Sequence, residues 1–137
     1  MIPAAPEQLS ALRRYDSHIP EARLMSCIRD GFVYAILSDE KIVGILRYSL
    51  FWQTIPFLDL LYLDERLRGK GLGTAAMAQW EAEMGKLGYN YVMLSTQEDE
   101  TAKFFYEKLG YRNIGVFLPP EQDAQELMYG KQLEESE

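Results

Sequence analysis

The run Arg68-Gly69-Lys70-Gly71-Leu72-Gly73-Thr74 stands between an apolar, strand-like run at 57–63 and an amphipathic, helix-like run at 72–87. Few folds accommodate that order. Three glycines at alternate positions let the backbone come close to a ligand, since no Cβ blocks the approach. A helix that starts there offers unpaired N–H groups at the positive end of its dipole, and together these bind phosphate oxygens. Arg68 and Lys70 add cationic charge where an anion would sit. Leu72, Ala76, Trp80, Met84 and Leu87 recur at three- and four-residue spacing, an apolar stripe that Gly88 closes as a left-handed cap. The segment is expected to be a phosphate cradle.

The flanking sequence supplies the remaining elements. Residues 6–15 predict a first helix with Leu9 and Leu12 on one face, broken at His18-Ile19-Pro20. A second helix follows at 21–30, with Leu24, Met25 and Ile28 inward. Strand formers at 32–37, a polar hairpin loop at 38–41 and strands at 42–51 and 57–63 predict an antiparallel meander. Beyond the helix at 72–87 come a buried-type strand at 91–96 and a helix at 100–109 stopped by Gly110. Two last strands, 111–118 and 126–133, are separated by Pro119-Pro120. The tetrapeptide Lys-Leu-Gly-Tyr occurs at 86–89 and at 108–111 with no longer similarity around it, which reads as one helix-stop chemistry used twice. With 137 residues, the chain is expected to form a single domain over 1–133 with a frayed tail at 134–137.

A net charge of −7 argues against nucleic acid as a partner, because phosphate binding there needs a basic face. It suits a cationic or amine-bearing substrate, and solubility alone accounts for it equally well. The single cysteine, Cys27, cannot form an intrachain disulfide, and with the single histidine, His18, it falls short of a zinc set, so no metal is expected. No stretch approaches the roughly 20 apolar residues of a membrane span, and the N-terminus has no basic n-region, so the expected location is cytoplasmic.

Three phosphate-binding patterns compete for the glycine segment. A Walker loop needs Ser or Thr after Gly-Lys, and here Gly69-Lys70 is followed by Gly71. The dinucleotide fingerprint matches at Gly71-Leu72-Gly73-Thr74-Ala75-Ala76, yet six residues, 64–69, separate Leu63 from Lys70, and the preceding strands are antiparallel. The pattern Arg/Gln-x-x-Gly-x-Gly/Ala is satisfied at every position from Arg68 to Gly73. With the run at 61–73 and the run from Ala102 through Phe105-Tyr106-Glu107-Lys108-Leu109-Gly110-Tyr111 in register, the chain resembles the GNAT superfamily of acyl-CoA-dependent N-acetyltransferases over about residues 31–118.

The resemblance implies an α+β fold (an α/β/α sandwich). Its central sheet would have about six mostly antiparallel strands, the fourth and fifth splayed apart, with helices on both faces. It implies acetyl transfer from acetyl-CoA to a primary amine by direct attack in a ternary complex, the acceptor being a small molecule or a protein. The amides of Arg68, Gly69, Lys70, Gly71, Leu72, Gly73 and Thr74 would hold the coenzyme pyrophosphate, and Leu61 and Leu63 would offer backbone groups to the pantetheine arm. Tyr106 falls on the family's tyrosine position, where the phenol serves the departing thiolate. Asp99 stands where many members carry a coenzyme-contacting Asn; within Glu98-Asp99-Glu100 it reads also, and preferably, as helix-start charge. Asp59 interrupts an apolar strand and is the first candidate for the base, with Glu98 second; an ion pair or a wet face would equally explain Asp59. Tyr34, Tyr48, Phe51 and Trp52 are candidates to line the acceptor pocket, or else core aromatics. A homodimer through the C-terminal strands is what the family suggests. The competing readings are a non-catalytic acyl-CoA-binding module and a dinucleotide-binding domain.

Overall fold

The computed structural model describes residues 1–134. Of the expected tail at 134–137, all but Glu134 lies outside the described residues. The fold is mixed α+β. In chain order the elements are β1 (Ile2–Pro3), α1 (Leu9–Arg13), α2 (Glu21–Arg29), β2 (Val33–Ser38), β3 (Lys41–Phe51) and β4 (Ile55–Leu63). They continue with α3 (Leu72–Lys86), β5 (Tyr91–Gln97), α4 (Ala102–Lys108), β6 (Arg112–Phe117) and β7 (Glu126–Gln132). The sheet has seven strands in the order β1-β2-β3-β4-β5-β7-β6, mostly antiparallel, with β4 and β5 parallel. The strand beyond the expected six is β1, which pairs Ile2 with Ala35 and Pro3 with Tyr34 and is too short to show a period. The first expected helix is also shorter, because its opening turn, Pro6–Gln8, is a 3-10 turn closed by the Gln8 side chain on the Ala5 amide at 2.8 Å.

Both hairpins around β3 turn on non-glycine residues with left-handed backbone. Asp39 and Glu40 have φ of 50° and 65° between the paired Ser38 and Lys41. Trp52 and Gln53 have φ of 56° and 63°, and the Thr54 amide donates to the Phe51 carbonyl at 3.0 Å. These are mirror-image two-residue turns, whose twist matches that of the strands they join. Such a conformation costs about 1–2 kcal/mol at each residue that carries a Cβ.

The chain divides into two compact units: Met1–Ser49 with Asp59–Trp80, and Leu50–Leu58 with the chain from Glu81 onward. In the first, Leu12, Leu24, Ile28, Val33, Ala35 and Ile45 form one buried cluster, and Ile36, Leu63 and Ala76 a second. Gly44 of β3 lies so close to β4 that a Cβ there would collide with the Tyr62 carbonyl. In the second unit, β5 pairs with β7 over seven residues and β7 with β6. Within that unit β4 meets β5 only at Phe57↔Met93 and Leu58↔Leu94.

The two Lys-Leu-Gly-Tyr segments are indeed the same stop. Gly88 (φ 98°) follows α3, with Tyr89 N–H on the Met84 carbonyl at 3.1 Å and Gly88 N–H on that of Gly85 at 3.0 Å. Gly110 (φ 96°) repeats this after α4, with Tyr111 on Tyr106 and Gly110 on Glu107, both at 3.1 Å. Each is a Schellman motif. The stop corrects the apolar stripe: Leu87 lies past the last helical residue and is 66% exposed, whereas Met77, not in the expected stripe, is fully buried. On α4, Phe104 is 56% exposed, and the packed aromatic set is Phe105, Tyr106 and Tyr111.

Candidate active site

The cradle is built by two local signals. The Asp64 carboxylate accepts the Arg66 amide at 3.2 Å and starts the 3-10 turn Glu65–Leu67, which ends β4. Gly69 (φ 78°) and Gly71 (φ 86°) then turn the chain left-handed into α3. The first bond of α3 runs from Ala75 N–H to the Gly71 carbonyl at 3.0 Å. By helix geometry the amides of Leu72, Gly73 and Thr74 have no acceptor within α3. A Cβ added at Gly69 or Gly71 would meet nothing within 4 Å, so the space over the turn is open. Unpaired amides, a dipole terminus and open space fit an oligophosphate.

The two flanking cations differ. Arg68 is committed to its own unit: its Nε donates to the Leu63 carbonyl at 3.1 Å, its guanidinium lies 4.9 Å from the Tyr62 ring centre, and its amide points to the Glu65 carbonyl at 3.3 Å. It braces the turn against β4 and occupies one of the carbonyls expected to face pantetheine. Leu61 is half-buried and Leu63 buried. Lys70 is exposed and takes part in no ion pair among the described residues.

Asp59 lies in the same unit as the cradle. Its side chain is 24% exposed, and Arg47 Nη1 approaches its Oδ2 at 3.5 Å. Burial pushes its carboxyl above the usual range, against a hydrogen bond from Ser49 and the Arg47 charge, with Asp16 adding to the rise. Arg47 is bonded more tightly to the fully buried Asp16, Nε to Oδ2 at 2.7 Å. Sequence reading missed Arg47 and Asp16, although Arg47 interrupts an apolar strand just as Asp59 does.

Tyr106, in the second unit, is buried on α4 against Phe105 and Tyr111 at ring-centre distances of 5.0 and 5.9 Å. Its phenol makes no hydrogen bond among the described residues, and burial, with a smaller effect of the Glu100 charge, raises it to about 12. The neighbouring Tyr111 donates instead to Glu81 at 2.9 Å, and Glu81 also binds Lys131 at 2.7 Å. Thr96 of β5 has a buried hydroxyl without a hydrogen-bond partner among the described residues.

Glu98, Asp99 and Glu100 are exposed in the turn before α4. They do not cap it: Thr101 holds the N-cap position without a side-chain bond, and no acid falls in the first turn. The chain instead ties Glu98 to the approach of β7, its amide on the Gln125 carbonyl at 2.9 Å. Partial burial, then Glu126 and Asp99, raise the Glu100 carboxyl. Among the aromatics, Tyr34 and Tyr48 stack at 6.3 Å inside the first unit, Tyr48 also against Trp80 at 5.8 Å, and both are buried. Phe51 and Trp52 meet at 4.8 Å in the second unit, where Trp52 is 78% exposed at the hairpin tip.

The acetyltransferase (GNAT) family model matches residues 5–111. Among curated proteins, the uncharacterised protein YdhI of Bacillus subtilis (strain 168) is 29% identical over 99 residues, 72% of this chain and 59% of its own length. YxbD of the same strain is 29% identical over 96 residues, 69% of this chain and 58% of its own length. The chain thus spans less than two thirds of these relatives. Among solved structures, Ard1 from Thermoplasma volcanium superposes with a TM-score of 0.84 at 20% identity, covering 96% of this chain and 95% of its own. The ribosomal-protein-S18-alanine N-acetyltransferase of Escherichia coli gives 0.76 at 14% identity, covering 98% and 93%. A putative streptothricin acetyltransferase from Bacillus anthracis str. Ames, in complex with acetyl coenzyme A, gives 0.66 at 22% identity, covering 73% and 61%.

Proposed function

The chain belongs to the acetyltransferase (GNAT) family, and from that premise we propose that it moves acetyl from acetyl-CoA to a primary amine by direct attack in a ternary complex. The observation that carries this reading is the cradle: two left-handed glycines under open space, followed by three amides with no helical acceptor. These fit the coenzyme's pyrophosphate, with Lys70 adding charge. The coenzyme supplies the activated thioester.

The chain's own groups handle protons and orientation. Asp59 takes the proton of the attacking ammonium or amine; its partial burial, which raises the carboxyl, makes it a better base than a solvated aspartate. Glu98 is the second candidate, and the exposed Asp99 beside it faces the coenzyme only at the cost of like-charge repulsion. Tyr106 serves the sulfur as a hydrogen-bond donor rather than as a full acid. With its phenol at about 12 and a thiol near 8.5, complete transfer to the thiolate is uphill by about 5 kcal/mol. Backbone groups of β4 orient the pantetheine arm and polarise the carbonyl, Leu61 ahead of Leu63, whose carbonyl already accepts from Arg68. Phe51, Trp52, Tyr34 and Tyr48 are read as acceptor contacts, and the acceptor as an amine on a small molecule or a protein. No described helix is long and apolar enough to cross a membrane. A cytoplasmic location and a homodimer are part of the same reading.

The test is an acetyl-CoA-coupled screen over polyamines, amino acids, antibiotic amines and peptide N-termini, read by thiol release, with coenzyme binding followed by calorimetry. Turnover on a defined amine, reduced in Tyr106→Phe and Asp59→Asn, is expected. Coenzyme binding without turnover across the panel would leave an acyl-CoA-binding module instead.

A further inference from the structure

One guanidinium stands between two carboxylates. Arg47 donates from Nε to Asp16 Oδ2 at 2.7 Å and from Nη1 to Asp59 Oδ2 at 3.5 Å. The first is a short charge-assisted bond; the second is at the limit of one. The two carboxylates also differ in their access to water: Asp16 is fully buried and Asp59 is 24% exposed. A buried carboxylate needs its cation more than one that water can solvate, so the guanidinium belongs first to Asp16.

Asp16 is itself held in place. It lies in the connection between α1 and α2, where Arg13 donates to its carbonyl at 3.0 Å and also to the Ile19 carbonyl. Its second oxygen, Oδ1, accepts the His18 amide at 3.2 Å, and the exposed His18 ring stands 3.5 Å away. The groups that act on Asp59 are Arg47 and Ser49 on β3 and Asp16 in the connection, where His18 stands against Asp16; on α2 the Cys27 thiol feels the charges of Asp59, Asp16, Arg47 and Arg23.

We propose that Asp16 is a positioning residue that draws the Arg47 guanidinium away from Asp59 and so leaves Asp59 free to accept a proton. The proposal rests on Asp59 as the base of the transfer reaction, and it adds that the base is set from the α1–α2 connection. Two opposed effects follow. Without the Asp16 charge, Arg47 pairs with Asp59 and favours its ionised form. Without the Ser49 hydroxyl, the ionised form loses a hydrogen bond.

The test is the titration of the Asp59 carboxyl carbon by NMR, assigned by its loss in Asp59→Asn, alongside the pH dependence of kcat/KM on the best amine. In Asp16→Asn the Asp59 titration and the acid limb of the profile are expected to move to lower pH. In Ser49→Ala both are expected to move to higher pH. A merely structural role for Asp16 would lower stability without moving either midpoint. Should Asp16→Asn fail to fold, the double variant Asp16→Asn/Arg47→Met removes the buried charge with its partner, and Asp59 should then titrate higher than in the wild type. An Asp59 titration that stays in place in Asp16→Asn, or in the double variant where that is used, overturns the proposal. A titration that moves while the rate profile does not would uphold the control of Asp59 by Asp16 and Arg47 and remove Asp59 from the role of base.

Discussion

Replacing Gly71 by alanine separates the two things a cradle glycine does. The residue has φ of 86°, and an added Cβ meets nothing within 4 Å, so no collision term enters. What remains is the left-handed strain of a residue with a Cβ, about 1–2 kcal/mol, offset by about 0.4–1 kcal/mol from the stiffer unfolded chain. The net loss of stability is about 1 kcal/mol, a drop in Tm of roughly 3–5 °C for a chain this size. Coenzyme binding should suffer more. A methyl in the open space over the turn holds phosphate off the Leu72–Thr74 amides, and each lost charge-assisted bond is worth about 1.5–3 kcal/mol, about 10- to 100-fold in Kd. Gly88→Ala is the matched control, with φ of 98° and equally open surroundings but at the far end of α3. Calorimetric titration with coenzyme A and a thermal melt of both variants make the measurement. Equal Kd for Gly71→Ala and Gly88→Ala would refute the placement of the anion over this turn. A melt much lower than that of Gly88→Ala would refute the open space itself.

Tyr106 should cost stability at high pH. Its folded value of about 12 exceeds the unfolded 10, so the unfolded chain gives up its proton first. Stability is full below about pH 10 and falls through about pH 12, by about 3 kcal/mol, and urea melts of Tyr106→Phe should show that much less loss. Gly44→Ala should destabilise by about 1–3 kcal/mol, because the collision is with the Tyr62 carbonyl, a backbone atom that cannot rotate aside; chemical denaturation with a loss near zero would contradict the close approach of β3 and β4.

Much of this was legible in the sequence because it depends on local chemistry. The strand, the glycine turn and α3 announce themselves through a residue order that only a few backbones satisfy, and the paired Lys-Leu-Gly-Tyr stops need no tertiary contact to form. The stop geometry also explains the misplaced Leu87, since a periodic stripe cannot register where the helix leaves its own axis. Pairing over a distance left no such trace. Asp16 and Arg47 are 31 positions apart, and nothing in the spacing of either points to the other. The acids before α4 illustrate the reverse error. Negative charge near a helix start is a sound expectation, yet the Glu98 amide is claimed by Gln125 and the helix opens later, at Ala102.

The hairpin at 52–53 carries one more implication. A turn selected for its backbone alone would place Asn-Gly there, where left-handed φ is least costly. This chain has Trp-Gln, with the indole 78% exposed and its ring tilted against Phe51 at 4.8 Å. Replacing Gln53 with glycine should therefore make the protein more stable while leaving the ring in place. The chain has stability in reserve at this tip, and what the tip displays is a side chain rather than a fold.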